Sequence, residues 1–268
     1  MDRPDDHQEA ARAEHHRHRG PSGAAVGGGL LTLAAIGSKA KLAVPALTMA
    51  ASIGAYTLLW GLPFAIGIVI LLLVHELGHY GAARAQGLKV SLPTFVPLLG
   101  AFVRVAERDP RSGMLTALAG PAVGGLGALA CLALGAASGS ELLSAMAYTG
   151  FVLNLLNLLP VPPFDGGAVA GAISTRLWVA GLVLLVALML ISFNPLLLVV
   201  AVLGAVQVWG RLGDPGEDED DGSEPAAAPA VRPTRQLAGG DRWLAAGLYF
   251  AIAALLWLGV QASFVDVD

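Results

Sequence analysis

Charge is scarce in this sequence. Asp, Glu, Lys and Arg make up 13% of the 268 residues, while 55% are hydrophobic and the mean hydropathy is +0.67. A soluble domain needs about a quarter of its residues charged to solvate its surface, so the shortage excludes a soluble globular body and marks a membrane protein. Cysteine is almost absent. With Cys131 alone an intrachain disulfide is impossible, and its place in an apolar run reads as a small packing residue. No basic stripe is present either, and the net charge of -4 mixes polar tails with an apolar body, which excludes a nucleic-acid role. Residues 1–20 carry both charge signs but no apolar core and no cleavage site, so they read as a disordered tail and not as a secretory signal. His7, His15, His16 and His18 lie in that tail, where a flexible chain offers a metal no fixed geometry.

What remains is long apolar runs with polar punctuation. Residues 24–41 are glycine-rich and end in Lys39 and Lys41, the pattern of an interfacial segment. From 42 to 83 the only charged side chain is Glu76, and Gly61, Leu62 and Pro63 interrupt the run. Since ~20 residues cross the hydrocarbon, this predicts two antiparallel spans joined by a tight turn. Residues 85–112 are short, β-leaning segments broken by Pro97 and Gly100, which predicts a hairpin at the membrane surface. Spans three and four are expected at 114–137 and 142–159, the third with Gly120, Gly124 and Ala128 at the four-residue spacing that admits a close neighbouring helix. The run 177–209 is too long for one crossing and is expected to turn at Asn194 and Pro195. An acidic linker at 211–241 and a last span at 243–260 follow.

The fold expected is an all-α multi-pass membrane protein of about six to seven transmembrane helices, with a short hairpin after the second span. Its divisions are a polar His-rich tail plus interfacial segment (1–41), a membrane-embedded body (42–210), the disordered linker (211–241) and a C-terminal helix with a short tail (242–268). Lys39, Lys41, Arg84, Lys89, Arg104, Arg108, Arg111, Arg176 and Arg211 all fall on one side of such a bundle. The excess of positive charge makes that side cytoplasmic.

The chemistry concentrates in His75, Glu76, Leu77, Gly78 and His79. Residues i and i+4 share one helix face, so both imidazoles aim at one point, and Glu76 can reach a metal-bound water without binding the metal itself. The bland alternative is a neutral structural carboxyl between two core histidines. Three ionisable groups within five intramembrane positions favour the metal site, because each is expensive there. A catalytic zinc needs a third protein ligand and an open position. The other histidines lie in the tail, which leaves a carboxylate or, in second place, Cys131. Asp165 is the candidate, because the fourth span brings it to the side near which the second span's motif lies. It sits in the stretch 157–167, Asn-Leu-Leu-Pro-Val-Pro-Pro-Phe-Asp-Gly-Gly, whose prolines and glycines break a helix. Irregular backbone at membrane depth is tolerated only inside protein or along a wet cavity. An ordinary helix-ending turn with Asp165 in solvent is the competing reading.

The motif at 75–79, the stretch 157–167, and Ala119-Gly120-Pro121 at the opening of a glycine-rich span together resemble the site-2 protease family of intramembrane zinc metalloproteases (peptidase family M50), over about residues 42–170. The resemblance implies one Zn2+ per chain on His75, His79 and Asp165, Glu76 as catalytic base, and Asn157 holding substrate or the reacting carbonyl. It implies peptide-bond hydrolysis in or near transmembrane helices of single-span membrane proteins, with the active site toward the cytoplasmic side of the plasma membrane. Phe164 stands where the family usually has Leu, and Ala168 where it often has a basic residue. No nucleotide-binding motif is seen, the chain lacks room for a PDZ module, and the C-terminal segment does not resemble a CBS module. The strand-like segment 88–105 offers an edge for an unwound substrate, or serves as a structural surface loop. The alternative function is an inactive membrane scaffold or transporter that binds a metal or a helix. A transporter should spread metal-binding groups along a path, whereas here they collect at one place.

Overall fold

In the computed structural model the residues described are 23–106, 109–192 and 236–264, with 198, 201–202, 204–206 and 208–209; for 23–41 and residue 192 the backbone alone is described. The chain divides into two compact units, Met1–Val44 and Pro45–Asp268. Described residues of the first unit are helical from Gly23 onward. The helix α1 spans Gly23–Trp60, so residues 24–41 share one continuous helix with the first apolar run. Pro45 lies inside it, and the Thr48 hydroxyl donates to the Pro45 carbonyl at 3.1 Å, a polar group answered locally as membrane helices require.

The second unit is a helical bundle. Gly61, at φ 81°, turns the chain between α1 and α2 (Leu62–Ala85), with Pro63 in the first turn of α2, where its missing N–H costs nothing. The predicted hairpin follows as β1 (Thr94–Val96) and β2 (Gly100–Phe102), antiparallel with Phe95 opposite Ala101 and a further bridge between Val90 and Val105. Next come α3 (Pro110–Ser138), capped by the Asp109 carboxylate, and α4 (Glu141–Asn157), capped by Ser140. The short α5 (Asp165–Ile173), α6 (Arg176–Ser192) and α7 (Gly239–Ser263) complete the named elements. The Asn194 turn and the linker at 211–235 lie outside the described residues.

Among the described residues, four helical segments are long and apolar enough to cross a membrane: Leu42–Trp60, Leu62–Ala85, Pro110–Ser138 and Gly239–Ser263. At 17 residues, α4 and α6 each rise ~26 Å, a little less than the ~30 Å hydrocarbon core. The most apolar window of α2 is 44% buried and that of α3 39%, against 17% for α7, so α2 and α3 form the interior of the bundle. One apolar cluster, with Met114, Leu118, Phe151, Leu158, Val169 and Leu256, joins α3, α4, α5 and α7. A second, with Tyr56, Val69, Leu71, Phe95 and Met146, ties α2 and α4 to the hairpin and to the later part of α1. The outward faces stay apolar, as in Leu58, Leu126, Ile191 and Phe250, which suits lipid as the solvent. The protein is a mostly helical membrane protein with one two-stranded sheet.

Candidate metal centre

The α2 helix puts His75 and His79 one turn apart on the face turned inward, and both are buried, as is Glu76. Their rings meet edge to face with centroids 4.7 Å apart, and the two Nε2 atoms are 3.0 Å apart. Asp165, the first residue of α5, brings Oδ2 to 3.1 Å from His75 Nε2 and Oδ1 to 3.3 Å from His79 Nε2. One ligand atom from each of the three residues thus lies within 4.8 Å of the others.

The hydrogen bonds behind the rings fix which nitrogen carries the proton. The Asn154 amide donates through Nδ2 to the Gly150 carbonyl at 2.7 Å, so the oxygen it turns to His75 must accept. His75 Nδ1 therefore donates to Asn154 Oδ1, at 2.8 Å. His79 Nδ1 lies 2.8 Å from the backbone carbonyl of Thr116, which can only accept, so it too carries the hydrogen. In the neutral rings both Nε2 atoms then face each other as lone pairs. With the Asp165 carboxylate beside them, three possible ligand atoms converge. Asp165 Oδ2 finds no hydrogen-bond partner among the described residues. Such a cluster suits a cation. Two imidazoles and one carboxylate with a position left open is the donor set of catalytic zinc, so these residues fit that ion.

Helix α3 approaches close enough to form the wall of the centre because it carries no side chain there. A Cβ on Gly120 would collide with His79 Nε2, and one on Gly124 would collide with the Asn154 amide. Two of the positions singled out by their spacing thus sit against the site itself. Glu76 points beside the cluster with Oε2 buried and unpartnered, and the backbone amide of Val103, just past β2, acts on its carboxylate. The hairpin packs on α2 by its second strand.

Asn157 is the last residue of α4 and lines a small recess with His75 and Asn154. The asparagine that bonds a histidine is Asn154, one turn earlier, which the sequence reading passed over. Its signal was an amide in an apolar helix one turn above Gly150, a group that must find partners at membrane depth.

Fold and donor set together define a membrane-embedded His-His-carboxylate group of the kind that can hold a metal ion. Residues 63–141, which include the histidines but not Asp165, match the family model described as peptidase family M50. Three relatives also align: a zinc metalloprotease of Methanocaldococcus jannaschii, 27% identical over 45% of this chain and 36% of its own length; a protein of Synechocystis sp. named as a zinc metalloprotease, 31% identical over 42% and 33%; and a chloroplastic one of Arabidopsis thaliana, 32% identical over 42% and 20%. The chain spans about a third or less of the length of these curated relatives. The family match and the names of the three relatives agree with the motif resemblance.

Proposed function

We propose that this chain is a zinc metalloprotease of the site-2 type that hydrolyses peptide bonds in or near transmembrane helices of single-span membrane proteins. The observation that carries the reading is the convergence of His75, His79 and Asp165 around one point, with the Glu76 carboxylate buried beside it. In this reading those three residues hold one Zn2+ per chain. Bound there, the ion supplies Lewis acidity that polarises a carbonyl and makes water acidic near neutral pH.

The remaining work falls to the chain. Glu76 takes the proton of the attacking water and returns it to the leaving amine, a role suited to a carboxylate with a free oxygen and no cation of its own. Asn154 and the Thr116 carbonyl hold the two imidazoles in the tautomer that leaves Nε2 free. Asn157, lining the recess beside His75, orients the substrate backbone or its carbonyl oxygen. A helical substrate must unwind to expose a peptide group, since its N–H and C=O groups are paired internally.

Counting α4, α6 and the apolar run of the sequence that ends near Trp209 as further crossings gives seven spans, within the six to seven expected from the sequence, with residues 42–210 as the catalytic body and 242–268 as an added helix. Four residues, ~7 Å of helical rise, separate His79 from Arg84. The basic flank then sets the site near the cytoplasmic face of the plasma membrane, within reach of water.

The test separates catalysis from metal retention. Glu76→Gln keeps the shape of the side chain but cannot act as a base, so zinc should stay stoichiometric while cleavage of a reconstituted single-span substrate falls by about two to four orders of magnitude. Asp165→Ala should lose both. Normal cutting by Glu76→Gln removes the base assignment. A wild-type protein that holds zinc and cuts none of a broad substrate panel is instead the metal- or helix-binding scaffold.

A further inference from the structure

Asp165 is the one member of the metal group that no regular element delivers from its N-terminal side. Between the end of α4 at Asn157 and the start of α5 at Asp165, seven residues run without helix or strand, and Pro160, Pro162 and Pro163 among them have no N–H to give. The segment's internal bonds are few: Val161 N–H to the Leu159 carbonyl at 2.8 Å and Phe164 N–H to the Val161 carbonyl at 3.1 Å. A ligand on such a segment is held only as well as its surroundings hold the backbone.

Two aromatic side chains from helices beyond the segment donate to backbone on either side of Asp165. The Tyr249 hydroxyl of α7 donates to the carbonyl of Leu158, the first residue after α4. The Trp178 indole of α6 donates to the carbonyl of Gly167, two residues after Asp165, at 2.7 Å. Neither side can shift freely. The Leu158 carbonyl lies where a side chain on Gly166 would go, and the Trp178 ring lies against Gly171, so each donor braces backbone already packed on α5. Trp178 is almost wholly buried, and α7 is anchored on the same body through Leu256 and Val260 in the cluster with Phe151 and Leu158. Just before α7, the Leu237 N–H donates to the Ala172 carbonyl of α5 at 2.8 Å.

We infer that Tyr249 and Trp178 are positioning residues that clamp the backbone on both sides of Asp165, which makes the C-terminal helix a working part of the metal centre and not an added anchor. The inference rests on reading Asp165 as a metal ligand. Outside partners of metal ligands typically alter affinity 10- to 100-fold when removed. Tyr249 acts one step further out, through backbone, so Tyr249→Phe should weaken zinc binding by about 10-fold.

The experiment uses the full chain in detergent or nanodiscs. Zinc affinity is measured by competition with a chromophoric chelator, and thermal melting is followed in the metal-free protein, for wild type, Tyr249→Phe, Asp165→Ala and the double variant. The expected result is a roughly 10-fold loss for Tyr249→Phe with unchanged melting, a larger loss for Asp165→Ala, and no further loss when Tyr249→Phe is added to Asp165→Ala. That last arm identifies the route, because a general weakening of the fold would add to the loss and a clamp on Asp165 would not. Trp178→Phe, which keeps an aromatic ring but not the donor, should behave in the same way. Wild-type affinity in both aromatic variants overturns the clamp while leaving the ligand reading intact. Additive losses in the double variant, or a lowered melting temperature that tracks the loss of zinc, also overturn it, as they assign Tyr249 a role in packing alone. Undiminished zinc affinity in Asp165→Ala removes the ligand reading, and the clamp with it.

Discussion

The two halves of the metal centre are built in opposite ways. His75 and His79 ride on one helix, where a spacing of four residues aims both rings without outside help, and their surroundings only fix tautomer and tilt. Asp165 opens α5 directly after an irregular segment, and the backbone on either side of it is held by donors from α6 and α7. A helix-borne pair tolerates changes at a distance and fails when its immediate wall is altered. A ligand that follows an irregular segment is sensitive to helices that never touch the metal.

The largest effect expected from this contrast comes from the wall itself. Gly120→Val places a side chain where the histidine nitrogens lie, so zinc in the purified protein should fall to background while the chain still inserts in the membrane. Retention of full zinc would mean that α3 stands further from the histidines. The next effect lies at the hydrogen bond behind His75. Asn154→Leu leaves Nδ1 without an acceptor and should lower zinc affinity 10- to 100-fold, whereas Asn154→Asp, which still accepts from Nδ1, should stay close to wild type. Equal losses in the two variants would show that volume, not the hydrogen bond, is what counts at 154.

A smaller effect belongs to the hairpin. Val103→Pro removes the amide that faces Glu76, so cleavage should drop several-fold with zinc content unchanged. Unaltered cleavage would leave this segment a structural cover. Smallest of all should be Thr116→Val. His79 bonds the backbone carbonyl of residue 116, and the substitution removes only the hydroxyl that receives Gln86 Nε2 at 3.1 Å. Zinc affinity within about twofold of wild type is expected, and a tenfold loss would point to the side chain as the partner that matters.

The same division governs what could be read without a structure. The pair at 75 and 79 and the carboxylate at 76 were legible because their relation is local, a matter of helical period. The hairpin was legible from Pro97 and Gly100, and the turn between α1 and α2 from Gly61 and Pro63. Asp165 could be named by exhausting the other donors and by family resemblance, but nothing in 157–167 tells where its carboxylate points. Asn154 was missed because its role behind His75 requires the facing of α4 against α2, which only packing decides. The braces at Tyr249 and Trp178 were out of reach for the same reason: they pair residues 91 and 11 positions apart in the chain, joined by no motif.

Two imidazoles and two carboxyl groups, those of Asp165 and Glu76, crowd together inside the bundle. A divalent ion bound there supplies a fixed positive charge for them to share. Without it, the same groups must be buried in a medium that solvates ions poorly. Loading with metal would therefore do more than equip the site for chemistry: it offsets the cost of burying those groups and joins metal supply to the stability of the folded bundle.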